Sequence, residues 1–131
     1  MKKISLGGLI SGIAMVIAFM VVGQVFQFLF PSIKKEYTNA NLFRPWADPL
    51  MSVVFLVPFI TAFVSAWMWS KVKEIFKSGI FFGFVIWLLG ISGMIISYGT
   101  FPVSFLMILS WTTAGLVQYL LMGIILAKMI K

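Results

Sequence analysis

Four apolar segments, each near or above the ~20 residues that cross ~30 Å of hydrocarbon as a helix, constrain this sequence more than any other feature. They run from about Ile4 to Phe30, from Leu50 to Ser70, from Ser78 to Tyr98 and from Phe101 to Ala127. In lipid only a helix or a closed barrel can pair all its backbone polar groups, and these segments lack the period-2 alternation of barrel strands. We therefore predict an all-α membrane protein with four transmembrane helices in an antiparallel bundle.

The composition supports a single transmembrane domain over residues 1–131. Hydrophobic residues make up 62% of the chain and charged residues only 10%, with a mean hydropathy of +1.11. A soluble domain carries about 25% charged residues and could not bury this much apolar surface at such a length. The predicted connections are an outer loop over residues 31–49, an inner loop over residues 71–77 and a tight turn at Tyr98-Gly99-Thr100.

The basic residues predict the orientation of the bundle. If the N-terminus is inside, the inner side holds Lys2, Lys3, Lys71, Lys73, Lys77, Lys128 and Lys131, and the outer side holds Lys34, Lys35 and Arg44. Because cytoplasmic loops carry the excess of Lys and Arg, we expect a multi-pass protein of the cell (inner) membrane with both termini cytoplasmic. The net charge of +7 then reflects lysine clusters beside the lipid bilayer, and no continuous basic face indicates a nucleic-acid partner.

The N-terminal segment allows a second interpretation. The basic start and apolar run of MKKISLGGLISGIAMVIAF are typical of a secretory signal, and VVG before Gln24 offers small residues for cleavage. The apolar run nevertheless continues through VFQFLF to Pro31. That continuation favours a retained first helix.

Small residues recur on one face of two predicted helices. At ~100° per residue they fall within about 80° of one another on the third helix, at Gly79, Gly83, Gly90, Gly93 and Ser97, and they form a similar set on the first, at Gly8, Gly12 and Gly23. In lipid, apolar side chains gain no hydrophobic free energy by packing against one another. Helices there associate through close approach of their backbones. We interpret these faces as helix-packing surfaces, and we favour packing of the first helix on the third within one chain over a seam between two chains.

The glycine spacing also suggests an internal repeat. KKISLGGLISG and EIFKSGIFFG each place a lysine before a GxxxG pair, and the second and fourth helices end alike, in AWMWSK and GIILAK. The bundle would then consist of two repeated helical hairpins related by an axis along the membrane normal. Chance similarity between apolar helices is the alternative.

A few polar groups lie within or beside the predicted spans. Gln24 and Gln27 lie in the outer third of the first helix, whereas Gln118 and Tyr119 lie deeper in the fourth. Such groups form hydrogen bonds between helices, each worth about 0.6–2 kcal/mol, or they line a polar path. We favour interhelical hydrogen bonds, because Gln24 and Gln118 lie at different depths.

The outer loop contains one charged pair around a tryptophan. Arg44 and Asp48 can pair across the turn that holds Trp46, and tryptophan is enriched where membrane meets water. We interpret the three residues as an interfacial anchor. A recognition patch for a lipid head group or a partner subunit is the alternative.

The sequence offers no residue set for catalysis or for a cofactor. It contains no cysteine, no histidine and only three carboxylates, so the common zinc, copper and haem ligand sets cannot be assembled within one chain. No ionisable residue lies in the middle of a predicted span, whereas ion-coupled transporters usually need one. We expect no enzyme activity, no catalytic residue, no cofactor and no metal.

These features together predict a small integral membrane protein that acts as an interaction or accessory subunit. It would pack through its glycine-rich helix faces, as a homo-oligomer or within a larger membrane complex. The alternative is a small-solute or ion transporter or channel, formed by the bundle or by a dimer of it, with a polar path past Gln24 and Gln118.

Overall fold

The structure is a computed structural model that describes all 131 residues, and every regular element in it is helical. Helix α1 spans Lys2–Leu29, α2 spans Pro31–Tyr37, a 3-10 helix over Pro49–Phe55 leads directly into α3 at Leu56–Phe76, α4 spans Gly79–Thr100 and α5 spans Phe105–Met129. Four segments are long and apolar enough to cross a membrane: Lys2–Leu29, Pro49–Phe76, Gly79–Thr100 and Phe105–Met129. The predicted fold class, a bundle of four apolar helices in a multi-pass membrane protein, is confirmed.

Local sequence explains several helix ends. Pro31 begins α2 directly after α1, at a position where its missing N–H is not needed. Ser78 and Ser104 begin α4 and α5, and the side chain of each accepts a hydrogen bond from the backbone N–H three residues later. Lys77 ends α3 in a left-handed conformation, with φ of 56°.

The second span is longer than the sequence predicted. We expected it to end near Ser70, with a loop over residues 71–77, but α3 continues to Phe76 and only Lys77 and Ser78 connect it to α4. Pro58 lies in the first turn of α3, directly after the 3-10 helix. A first-turn residue has no N–H partner inside an α-helix, so this proline is accommodated there.

Helix α5 is the central helix of the bundle. It packs along both α1 and α4, and α1 packs in turn along α3. All four long helices meet in a core cluster made of Met15, Ala62, Ala66, Trp69, Phe82, Met122, Leu126 and Ile130. A smaller cluster of Ile33, Val103, Met107 and Ile108 lies where α2 covers the start of α5.

The two ends of the bundle differ in charge. Both termini lie at one end, where Gly7 is close enough to Ile130 for an added Cβ to contact its side chain at 3.3 Å. This lysine-rich end carries Lys2, Lys3, Lys71, Lys73, Lys77, Lys128 and Lys131 with a single carboxylate, Glu74. The other, the loop end, carries α2 and residues 38–48, with three basic residues and two carboxylates. The cytoplasmic placement of the lysine-rich end stays a prediction.

The glycines of α4 form a close crossing with α5. A Cβ on Gly79 would collide with the carbonyl oxygen of Gly123, and a Cβ on Gly83 would collide with that of Tyr119. A Cβ on Gly123 would in turn collide with the carbonyl oxygen of Gly79. The two backbones therefore approach each other more closely than any other residue type would allow.

The glycines of α1 have a different neighbour from the one we expected. We favoured packing of the first predicted helix on the third, which is α4 in the structure. Gly8 and Gly12 instead lie under the rings of Phe63 and Phe59 on α3, where an added Cβ would approach each ring to 2.5 Å. Each GxxxG helix thus packs on the next long helix in the chain, α1 on α3 and α4 on α5. The glycine faces of α1 and α4 therefore belong to two different helix crossings and do not meet each other.

Candidate ligand cavity at the loop end

A cavity of about 340 Å³ lies at the loop end, between α1, α5, the end of α2 and the 3-10 helix. Its wall consists of Phe19, Met20, Gly23, Gln24, Gln27, Tyr37, Trp46, Phe55, Ser110, Trp111 and Ala114. Sites for small molecules are mostly apolar or aromatic, contain a few polar groups, and have volumes of about 300–1,000 Å³. This cavity, named here the outer cavity, has those properties.

Two glutamines bring polar groups to the wall of the outer cavity. Gln24 and Gln27 are three residues apart on α1, so they lie on the same side of the helix. Side-chain hydrogen bonds involve α1 at only two places, from Ser5 to the carbonyl oxygen of Met1 and from Gln118 to that of Met15. Neither glutamine amide in the cavity wall therefore has a partner within the protein.

Tyr37, Trp46 and Trp111 form an aromatic cluster in the wall of the outer cavity. The Nε1–H of Trp111 donates a hydrogen bond to the hydroxyl oxygen of Tyr37, with an N···O distance of 2.6 Å. The ring of Trp46 lies 6.4 Å from that of Tyr37, and the ring of Phe43 lies 5.3 Å from it. Because tryptophan can only donate, Tyr37 is the acceptor and keeps its own hydroxyl proton for another partner.

Tyr37 is a neutral group at ordinary pH. Burial raises the pKa of the Tyr37 hydroxyl, the hydrogen bond from Trp111 opposes that change, and the nearby Glu36 carboxylate raises the pKa further. A tyrosine with a pKa above its ordinary value near 10 stays protonated at neutral pH. The aromatic wall therefore adds no negative charge of its own.

Helix α2 holds Tyr37 in place at the loop end. Glu36 accepts hydrogen bonds from the backbone N–H and the hydroxyl of Ser104, at the start of α5. A carboxylate is favourable at the N-terminus of a helix. Ile33, on the same helix, is fully buried in the smaller core cluster. Two side chains of α2 thus fix it across the bundle.

Sequence reasoning missed Tyr37 and Trp111 as site residues and missed Glu36 as their support. The signals for α2 were Pro31 at the first helical position and the i, i+4 spacing of Ile33 and Tyr37. No comparable signal joined Tyr37 to Trp111, which is 74 residues away along the chain. That contact depends on the tertiary fold.

The charged pair of the outer loop caps the 3-10 helix. Arg44 and Asp48 form a salt bridge of 3.1 Å, as their spacing suggested, and Asp48 also accepts a hydrogen bond from the backbone N–H of Leu50. That N–H and the guanidinium of Arg44 hold the pKa of Asp48 below its usual range. Trp46, between them, is 58% exposed, and it alone of the three lines the outer cavity.

The deeper polar residues of α5 lie outside the cavity wall. The Nε2–H of Gln118 donates a hydrogen bond of 2.9 Å to the carbonyl oxygen of Met15, which joins α5 to α1. The hydroxyl of Tyr119 has Thr61 of α3 as its polar neighbour. The structure therefore separates Gln118 and Tyr119 from Gln24 and Gln27.

The remaining glycines of the predicted packing faces have open surroundings. An added Cβ on Gly23, Gly90 or Gly93 would meet nothing within 4 Å. Gly23 lines the outer cavity. The hydroxyl of Ser97 donates to the carbonyl oxygen of Gly93, one turn earlier in the same helix. Gly90 borders a small gap between α4 and α5, whereas Gly93 is exposed.

No group of three or more His, Cys, Asp or Glu residues lies in a position to hold a metal ion. A scan against protein-family models, a search of curated proteins and a search of solved structures each found no match.

Proposed function

We propose that this chain is a small integral membrane protein without catalytic activity that binds a small molecule in the outer cavity. The observation that carries the proposal is that the amides of Gln24 and Gln27 line a cavity of about 340 Å³ and have no hydrogen-bond partner within the protein. An unsatisfied polar group in the membrane interior costs several kcal/mol. Gln24 is exposed and Gln27 is half-buried, so water can satisfy the amides when the cavity is empty, and a polar ligand can pair with them when it is filled.

The same geometry favours binding over conduction. Towards the lysine-rich end, the bundle centre is filled by side chains such as Trp69, Phe82 and Met122, each less than 5% exposed. Gln118, which a polar path would need, is paired with Met15. The cavity is thus closed towards the lysine-rich end. Only the outer half of the path that a transporter or channel would need is open.

The lysine distribution supports the proposed placement in the cell (inner) membrane, with both termini in the cytoplasm. In that orientation the outer cavity faces the outer leaflet and the outer solution.

A cysteine accessibility experiment tests whether the outer cavity is open to water. The chain has no cysteine, so Gly23→Cys introduces a single thiol, and its Cβ fits without a clash. Thiols react as thiolates, which form in water and not in hydrocarbon. We expect iodoacetamide to label Gly23→Cys in nanodiscs at least about tenfold faster than a thiol facing lipid.

Gly93→Cys is the matched control. It also has open space around its Cβ, and it lies a similar number of residues from the loop end of its helix, but it is absent from the wall of the outer cavity. Equal, slow labelling of the two thiols would show a dry cavity and would contradict the proposal.

A second candidate function is that of an interaction subunit formed by two copies of this chain. One observation favours it: in the outer half of α4, Gly93 is exposed and nothing lies within 4 Å of an added Cβ, although it continues the glycine face that crosses α5 at Gly79 and Gly83. Gly93 and Ser97 have the small-xxx-small spacing of close helix pairs in membranes. The two α4 helices would pair along this half.

Mass measurement of the intact protein in mild detergent tests the second candidate. We expect a dimer, and we expect Gly93→Val to convert it to a monomer because the added methyl groups separate the helices. Gly99→Val is the control, since Gly99 is equally open but lies on another side of α4. A monomeric wild-type protein would rule out this candidate.

A further inference from the structure

We propose that the ligand of the outer cavity carries an alkylated ammonium group. The inference rests on the proposed function, because it names the chemical class of the molecule that the cavity binds.

The rings of the wall suit a cation with an apolar surface. Five aromatic residues line the cavity: Tyr37, Trp46, Trp111, Phe19 and Phe55. The face of an aromatic ring attracts a cation within about 6 Å of its centre, and aromatic cages are the common sites for quaternary ammonium groups. The hydrogen bond from Trp111 to Tyr37 fixes two of these rings relative to each other.

The charges around the cavity disfavour an anion. No Lys or Arg lines the wall. Lys34 and Lys35 are exposed, while Ile33 on the same helix faces the core, and Arg44 is paired with Asp48. Glu36, the residue before Tyr37, accepts two hydrogen bonds from Ser104 at the start of α5, so a carboxylate lies close to this wall.

The polar groups of the wall also favour binding of an alkylated ammonium over binding of a metal ion. Calcium and magnesium ions prefer carboxylate and carbonyl oxygen ligands and keep bound water, and no carboxylate lines the cavity. An alkylated ammonium spreads its charge over apolar groups, which can contact Phe19, Met20 and Phe55. The carbonyl oxygens of Gln24 and Gln27 can face its positive charge or accept from a hydroxyl on the same molecule.

This chemistry has two natural sources, a free amine in solution and the choline head group of a lipid. Both can be tested by protection of the Gly23→Cys thiol from iodoacetamide. In nanodiscs of phosphatidylglycerol, we expect millimolar choline to slow labelling about tenfold, whereas its uncharged carbon isostere, 3,3-dimethyl-1-butanol, has little effect. Slow labelling in phosphatidylcholine nanodiscs without added choline would support the same cation class with lipid as the source.

Two tryptophan variants test whether a ring of the cavity wall is needed for the protection by choline. Trp46→Leu, added to Gly23→Cys, removes one ring of the proposed site and should weaken the protection by choline about tenfold. Trp67→Leu is the control, because Trp67 on α3 is as exposed as Trp46, at 57%, but does not line the cavity. Unchanged protection in Trp67→Leu, with weakened protection in Trp46→Leu, is the expected result.

The failure of this inference is distinguishable from the failure of the proposed function. If Gly23→Cys is labelled rapidly and choline does not protect it, or if the neutral alcohol protects equally well, the cation class is wrong and the cavity stands as a site for another ligand. If Gly23→Cys reacts as slowly as Gly93→Cys in nanodiscs of both lipids, without added choline, the proposed function and this inference both fall.

Discussion

Gly83→Ala will lower the free energy of unfolding of this protein by about 2 kcal/mol, the cost of forcing an extra methyl group into a close contact. The methyl group would collide with the carbonyl oxygen of Tyr119. That oxygen belongs to the backbone of α5, so it cannot move aside as a flexible side chain can. The crossing of α4 and α5 must open along its length, which weakens the contacts around Phe82 and Met122.

Gly90→Ala is the matched control for Gly83→Ala. The two glycines lie on the same face of α4, and each replacement gains about 1 kcal/mol of helix propensity in water. An added Cβ on Gly90 meets nothing within 4 Å, so we expect unchanged or slightly higher stability. Thermal unfolding in one detergent compares the two variants directly. Equal stability of the two would mean that α4 and α5 do not cross at Gly83.

Trp69→Ala will cost about 3 kcal/mol of stability, as large-to-small changes in protein cores do. Trp69 is 4% exposed, its ring centre lies 5.4 Å from that of Phe82, and its Nε1–H donates to the carbonyl oxygen of Ile130 at 3.2 Å. Truncation removes the contacts of the ring and leaves a cavity among α3, α4 and α5. In lipid this loss of packing, rather than transfer from water, is the dominant cost.

Trp67→Ala is the matched control for Trp69→Ala, because it removes the same ring from an exposed position of the same helix. Trp67 lies two residues earlier on the same helix and is 57% exposed, so its ring has much less contact with protein than that of Trp69. We expect its truncation to change the free energy of unfolding by less than about 1 kcal/mol, because few protein contacts are lost. Chemical denaturation of both variants in the same micelle measures the difference. A similar loss for the two would contradict the described packing of α3.

The sequence predicted the spans because length and hydrophobicity decide whether a segment can cross a bilayer. It did not predict which helices pack together. Lipid-facing and protein-facing positions have similar composition in a membrane helix, so nothing local separates Trp67 from Trp69, or Gly90 from Gly83. The expected pairing of the first and third spans was therefore wrong, although Gly8, Gly12, Gly79 and Gly83, which lie at the crossings, were predicted to be packing residues.

Only part of the outer cavity could be predicted from the sequence. Gln24 and Gln27 stand out because they are polar residues near the end of an apolar helix. Tyr37 and Trp111 do not stand out, since aromatic residues are common at the membrane interface. Their contact depends on α2, which is held by the hydrogen bonds between Glu36 and Ser104. Such contacts between distant segments leave no periodic pattern in a single sequence.

The central position of α5 has a consequence for how the chain assembles during synthesis. Helix α5 is made after the other three long helices, yet it is the main partner of both α1 and α4. Until it enters the membrane, α1 and α3 can pair, but the glycine crossing of α4 stays uncovered and the outer cavity lacks the wall that Ser110 and Trp111 supply. Insertion of the final span therefore completes two helix interfaces and the cavity in one step.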